Sequence, residues 1–225
     1  EPFGDNGVER GGAVRRCLSR LGMVPDANTL YHTRWGQPRL RCRNRKDMVD
    51  RQPPAVSIAD DGGLALCAMA YGSAIRGLGI DIVAPGRFTH IANDARRRSR
   101  FSDRILAEEE RRDLASVGEP LMANYLARSF ALKEAAAKSL GTGLRLGLGM
   151  GGDHGVPPQS LRVRPACGSA AIFADGAAAR RMRRLGASRF VAVADEYNGY
   201  TIAIAVLLGR DSRNQASMSN VFGPL

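Results

Sequence analysis

Val191-Ala192-Val193-Ala194-Asp195-Glu196-Tyr197-Asn198-Gly199-Tyr200-Thr201-Ile202-Ala203-Ile204-Ala205-Val206 is the stretch on which the fold turns. An apolar run passes through acidic residues into a Gly turn and returns as a second apolar run, which is the signal of a β-hairpin. The same pattern stands far upstream, where Val56-Ser57-Ile58-Ala59-Asp60-Asp61-Gly62-Gly63-Leu64-Ala65-Leu66-Cys67-Ala68-Met69 places two short apolar runs around Asp-Asp-Gly-Gly. Two similar hairpins so far apart predict two related half-domains, because a solenoid needs at least three short repeats. Two ordinary hairpins that merely look alike are the other reading, and the pattern alone leaves both open.

Working outward, Leu78-Gly79-Ile80-Asp81-Ile82-Val83 is a short strand with Leu78, Ile80 and Ile82 on one face. Helices are predicted over 103–116 and 120–140. The second is the stronger: Pro120 suits a first turn, the interior is rich in Ala and Leu, and Gly141 closes it. Apolar positions at helical spacing mark 8–22, and 34–52 is basic, polar and irregular. Strands are expected at 157–165 and 169–174, a short basic helix at 175–186, and a loose polar tail from Asp211.

Composition narrows the class. The 225 residues can supply a core, and no stretch nears the ~20 uninterrupted apolar residues that span a bilayer. The N-terminus, Glu1-Pro2-Phe3-Gly4-Asp5, has no secretory pattern, and the absence of an initial Met suggests an excised or processed domain. Cys17, Cys42, Cys67 and Cys167 stand apart, unlike a disulfide framework or zinc site, so a reduced, cytoplasmic protein is expected. His32, His90 and His154 are scattered. Thirty-three Lys and Arg against 22 Asp and Glu give +11, which predicts an anionic partner unless it is a surface bias towards Arg. A nucleic-acid-binding module fits poorly, because aromatic stacking platforms are not interleaved with the basic residues.

Asp81 is a carboxylate within an apolar strand, a costly placement unless it is paired or bound to a cation. Glu134 and Lys138 are four residues apart on the predicted helix and share a face. Alone they would read as a surface ion pair. With Asp81, two carboxylates and a lysine could hold a hard divalent cation and a pyrophosphate, since magnesium takes one or two carboxylates and completes its shell with phosphate oxygens. Gly141-Thr142-Gly143 offers close backbone approach to a ligand. Gly77 and Gly79 do not begin a dinucleotide fingerprint, because Ile82 stands at the third position, and Gly147 to Gly152 lacks a Walker Lys-Ser/Thr.

Gly79-Ile80-Asp81-Ile82, Arg104-Ile105-Leu106-Ala107-Glu108-Glu109-Glu110 and Phe130-Ala131-Leu132-Lys133-Glu134-Ala135-Ala136-Ala137-Lys138 together resemble the 4′-phosphopantetheinyl transferase superfamily. Residues 77–206 are similar to its holo-acyl-carrier-protein synthase type. Gly36-Gln37-Pro38 and the first hairpin resemble the first half of the larger, surfactin-synthetase-type members, which are pseudo-dimers in one chain. The resemblance implies an α+β fold of two similar lobes forming a pseudo-dimer, each with a small antiparallel sheet packed on helices. Residues 1–75 would form the N-terminal lobe, 76–210 the C-terminal lobe with the signature, and 211–225 a polar tail.

The resemblance further implies transfer of phosphopantetheine from coenzyme A to a serine of an apo acyl carrier protein, releasing 3′,5′-ADP. Asp81 and Glu134 would ligate magnesium, and Glu134 and Lys138 would be catalytic. Lys133, Lys138, Gly141, Thr142 and Gly143 would face coenzyme A, and Arg87, Arg96, Arg97, Arg98 and Arg100 would steer the acidic carrier. Three positions depart from the larger members: Val83 replaces a third acidic residue, Ala59-Asp60 stands for Ser-His, and Gln37 stands for a basic residue. Arg39, Arg41, Arg43, Arg45 and Lys46 are candidates to replace lost phosphate contacts. A coenzyme A- or carrier-binding homologue without turnover is the alternative that these departures raise.

Overall fold

In the computed structural model, the structure describes residues 30–33, 36–41, 53–84, 86–145, 155–166 and 169–209, with helical backbone also at positions 12, 15, 16, 19 and 20. The basic positions Arg43, Arg45 and Lys46, the glycines 147–152, three of the four cysteines and the tail from 211 lie outside these residues, as does most of the helix expected at 8–22.

Nine strands are described. Two short ribbons come first: β1 (Leu30–His32) with β2 (Pro38–Leu40), and the hairpin β3 (Ala55–Asp61) with β4 (Leu64–Ala70). A five-stranded antiparallel sheet follows in the order β5-β9-β8-β7-β6, made by β5 (Ile75–Val83), β6 (Leu161–Ala166), β7 (Ser169–Ala174), β8 (Ala187–Tyr197) and β9 (Tyr200–Gly209). Both hairpins form where expected, the second turning at Asn198-Gly199, a pair suited to tight hairpin turns. The α+β class is therefore observed. The described sheets are unequal: two-stranded ribbons before residue 75, five strands after it.

The helices are α1 (Thr89–Ala92), α2 (Ala95–Ile105), α3 (Glu108–Ser116), α4 (Glu119–Ser139) and α5 (Gly176–Arg184). The helix expected over 103–116 is split, because Leu106 and Ala107 are extended and fully buried between α2 and α3. Glu110 enforces the break by accepting a hydrogen bond from the Ala107 amide at 2.6 Å, which satisfies a donor at the new helix start. α4 runs as the Pro120 and Gly141 signals predict, and Gly141 ends it at φ +72°, a conformation that costs a side-chain-bearing residue more.

The five-stranded sheet is covered on both faces at its β5–β9 side. On one face lies α4, whose Ala127, Ala131 and Ala135, with Leu140 just past its end, join Val83, Ala203, Ala205 and Leu207 in the main core. On the other face, Leu78, Ile80, Ile82 and Ile204 pack with Ala59 and the apolar residues of the β3–β4 hairpin. Strand alternation makes this possible. The even residues of β5 meet the hairpin and the odd residues meet the helix, so Asp81 falls on the helix side.

Gly77 and Gly79 make the β5–α4 seam. A Cβ on Gly77 would lie 1.9 Å from the Ser139 carbonyl oxygen, and one on Gly79 would lie 1.8 Å from that of Ala135. Two strand residues advance about 6.6 Å and four helix residues about 6 Å, so the two contacts stay in step along the seam. Gly79→Ala is therefore expected to lower stability by at least about 3 kcal/mol, beyond ordinary overpacking, because a backbone carbonyl and not a mobile side chain must give way. Urea unfolding of the variant against wild type checks this.

Candidate active site

Two residues beyond Gly79 on the same strand, Asp81 emerges against the last turns of α4. Its Oδ1 accepts from Lys138 Nζ at 2.8 Å, and the same ammonium donates to the Ile80 carbonyl at 3.0 Å. Over the last nine residues of α4 only Glu134 and Lys138 are not fully buried, so helical spacing presents this acid and base from the one face left open. The Asp81 side chain keeps 11% of its surface and that of Lys138 keeps 30%. The three expected residues are thus brought together.

Their electrostatics oppose one another. Burial raises the Asp81 carboxyl above its usual range, Lys138 and then Arg87 draw it down, and Asp61 pushes it back up. Glu134 is pushed up to about 7, first by burial and then by the neighbouring Asp81 charge, with Lys138 and Arg87 acting against the shift. Two carboxylates in partial burial with one directly bonded ammonium is a donor set short of positive charge. Hard oxygen donors of this kind suit magnesium, which takes the balance of its ligands from water and substrate phosphates. Val83, the position at which the resemblance implied a departure, is 1% exposed and belongs to the core. Among the described residues no three His, Cys, Asp or Glu side chains form a metal-binding group, so the arrangement has two carboxylates.

Beside Lys138 opens a cleft of about 190 Å³ whose walls include Gln37, Ser57, Gly141, Thr142 and Gly143. The amides of Gly141, Thr142 and Gly143 are turned back onto α4, donating to Lys138 and Ala137 carbonyls. Gln37 reaches this cleft from the N-terminal part: a Cβ on Gly141 would meet its Oε1 at 2.9 Å. A second cleft of about 390 Å³ shares Gln37, Pro38, Val56 and Leu78 with the first and adds Arg39 and Arg76.

Lys133 is not brought to this group. It is one residue, and so about 100° of helix, from Glu134, and its side chain is fully enclosed. Its ammonium pairs with Glu110 at 2.8 Å and donates to the Pro158 and Leu161 carbonyls. Burial lowers its pKa, while Glu110 works to keep the charge. The expectation that Lys133 faces coenzyme A is corrected on this ground: its donors are committed to the interior. Among the five arginines, Arg87 stands at the site, while Arg96, Arg97 and Arg100 are exposed on α2 and Arg98 donates to the Ala92 carbonyl.

Two groups escaped sequence reasoning. Glu110 accepts from the Ala107 and Val163 amides, each at 2.6 Å, as well as from Lys133. The sequence places it inside a single helix over 103–116 and in a motif of the resemblance, neither of which points to a buried partner. Asp61 binds Arg87 at 2.6 Å from the first hairpin, and its place beside a Gly turn suggested only turn chemistry.

The model of the 4′-phosphopantetheinyl transferase superfamily matches residues 77–205, from the first glycine of the seam to β9. The chain belongs to this superfamily. Among curated relatives of the transferase, a holo-[acyl-carrier-protein] synthase from Photorhabdus laumondii is 39% identical over 135 residues, covering 60% of this chain and 98% of the relative. One from Halorhodospira halophila is 36% identical over 135 residues, with 60% and 98% covered. A solved acyl carrier protein synthase from Plasmodium yoelii, with ADP bound, superposes at TM-score 0.50 and 21% identity, covering 61% of this chain and 98% of that one, and so shares the fold. These transferase relatives match only about three-fifths of the chain, and the family match begins after the β3–β4 hairpin.

Proposed function

We propose that the chain moves the 4′-phosphopantetheine arm of coenzyme A onto a serine of an apo acyl carrier protein, releasing 3′,5′-ADP, in a magnesium-dependent reaction. The observation that carries the reading is the group of Asp81, Glu134 and Lys138 on the strand–helix seam, whose Lys138 also lines a cleft with Gly141, Thr142 and Gly143. The relatives named as holo-[acyl-carrier-protein] synthases support it. The separated cysteines support a cytoplasmic setting.

Asp81 and Glu134 would hold the magnesium ion, which when bound neutralises charge on the pyrophosphate. The carrier serine attacks the β-phosphorus, and the bond to the oxygen of the leaving 3′,5′-ADP breaks. Glu134, which shares the site with Asp81 and Lys138, is placed to take the serine proton. Lys138 places an ammonium against the charge that develops on the leaving group. The exposed Arg96, Arg97 and Arg100, with Arg87 at the rim, give the acidic carrier a positive approach. Lys133 has no part in these contacts.

The reading is tested by intact-mass spectrometry of an apo carrier incubated with the chain, coenzyme A and magnesium. A phosphopantetheine-sized gain that EDTA abolishes supports it. No gain on any carrier overturns it, and retained coenzyme A binding would then favour a homologue without turnover, as Gln37 and Asp60 raise.

A second expectation needs no turnover. Glu134 has a folded pKa above its ordinary value of 4.5, so its favourable contribution is complete below about 4.5 and is lost as pH rises through about 7. The loss reaches about 3 kcal/mol for a shift of this size. The melting temperature in EDTA should fall between pH 5 and pH 8 by more in wild type than in Glu134→Gln. Magnesium should restore wild type more at pH 8 than at pH 5. Equal magnesium effects at both pH values would show that the ion is not held by these carboxylates.

A further inference from the structure

Asp61 lies outside the segment matched by the family, on the first hairpin, yet it reaches the rim of the site. Its Oδ2 accepts from the Arg87 guanidinium at 2.6 Å and from the Ala84 amide at 3.1 Å. Four residues earlier on the same strand, Ser57 Oγ accepts from the Ile80 amide at 3.0 Å. The offset is 23 residues in both cases. β3 therefore tracks β5 in register, and two polar side chains supply acceptors to the edge strand. The turn is fixed as well. A Cβ on Gly62 would stand 2.7 Å from that of Ala84, and the Tyr200 hydroxyl donates to the Gly62 carbonyl at 2.7 Å.

Arg87 is thus held at one end by a clamped carboxylate. Its guanidinium lies 5.7 Å from the centroid of the Phe130 ring, one helical turn before Glu134. Half its side chain is exposed, against about a quarter of Asp61. Burial works to raise Asp61, but the Ala84 amide and Arg87 outweigh it and keep the carboxyl below its usual range. A guanidinium has five donors, so the one given to Asp61 leaves others for an incoming acid.

We infer that Asp61 is a positioning residue: the N-terminal hairpin uses it to hold Arg87 at the rim, oriented to receive a carboxylate of the acidic carrier protein. The inference rests on the proposed function, and it gives the hairpin a role in carrier recognition. An arginine already fixed loses less freedom on binding, so the anchor acts on carrier affinity. Its influence on the reacting groups is confined to the last and smallest of the charges that act on Asp81, so the effect on turnover should be small beside that on the carrier.

The test is a kinetic cycle of Asp61→Asn, Arg87→Gln and the double variant, with carrier and coenzyme A varied separately. Asparagine keeps an oxygen for the Ala84 amide and removes only the charge. Asp61→Asn should raise the KM for carrier roughly 3- to 10-fold, the scale of a partly exposed charge contact, with kcat and the KM for coenzyme A within about twofold of wild type. In the Arg87→Gln background the same substitution should add nothing. An undiminished effect there would show that Asp61 acts through the fold, and the proposal fails. It fails too if the KM for carrier does not move, or if both KM values rise together. A wild type that modifies no carrier overturns the functional reading itself, and this inference with it.

Discussion

Glu134→Gln should lose about 100- to 10,000-fold in the rate of carrier modification, the span associated with removing a positioned general base. The fold should survive. Glu134 is partly exposed, forms no ion pair among the described contacts, and carries a charge that burial and Asp81 both oppose. The amide is nearly isosteric and uncharged, so the variant should melt at or above the wild-type temperature at pH 8. Binding of coenzyme A, followed by calorimetry with magnesium present, separates the two roles assigned to this residue. A variant that binds as wild type but does not turn over has lost the base. One that also needs much more magnesium has lost a ligand. Full turnover would remove Glu134 from the mechanism.

Lys133→Met should cost about 3–5 kcal/mol, the expected range when one partner of a fully buried ion pair is deleted. The lysine side chain is 0% exposed and that of Glu110 is 2% exposed, so the stranded carboxylate has no solvent to turn to. Adding Glu110→Gln should recover part of the loss. No unpaired charge then remains buried, although the single oxygen of the glutamine side chain keeps only one of the bonds that Glu110 Oε2 and Oε1 accept from the Ala107 and Val163 amides. Urea unfolding with unchanged m-values would establish these as stability effects. A cost below about 1 kcal/mol for the single variant would show that water reaches the pair. The node joins α3, α4 and the segment entering β6, so its loss should loosen the helix that carries Glu134 and Lys138.

What could be read from the chain was local. Asn198-Gly199 and Asp61-Gly62-Gly63 turn in place, and Pro120 and Gly141 bracket α4, because each signal acts through a few adjacent dihedrals. The face of Asp81 followed from strand alternation, and the union of Glu134 with Lys138 followed from helical spacing. The misreadings were tertiary. Lys133 sits beside Glu134 in sequence, but its partner is a glutamate 23 positions earlier, which no local rule selects. The break at Leu106 and Ala107 depends on where Glu110 finds an amide. Gly77 and Gly79 looked like a failed phosphate motif, and only the Ala135 and Ser139 carbonyls explain them. Asp61 is legible only once β3 is known to lie along β5.

The seam at Gly77 and Gly79 has a consequence for how this protein tolerates change. There the strand and helix meet main chain to main chain, and no side-chain volume separates the elements that carry Asp81 from those that carry Glu134 and Lys138. The spacing of the reactive groups is set by peptide geometry, which varies little, while side-chain shapes vary a great deal. Substitutions among the apolar residues of β8, β9 or α5 can therefore wear down resistance to unfolding for some distance before they detune the chemistry. The molecule should fail first as a structure and only later as a catalyst.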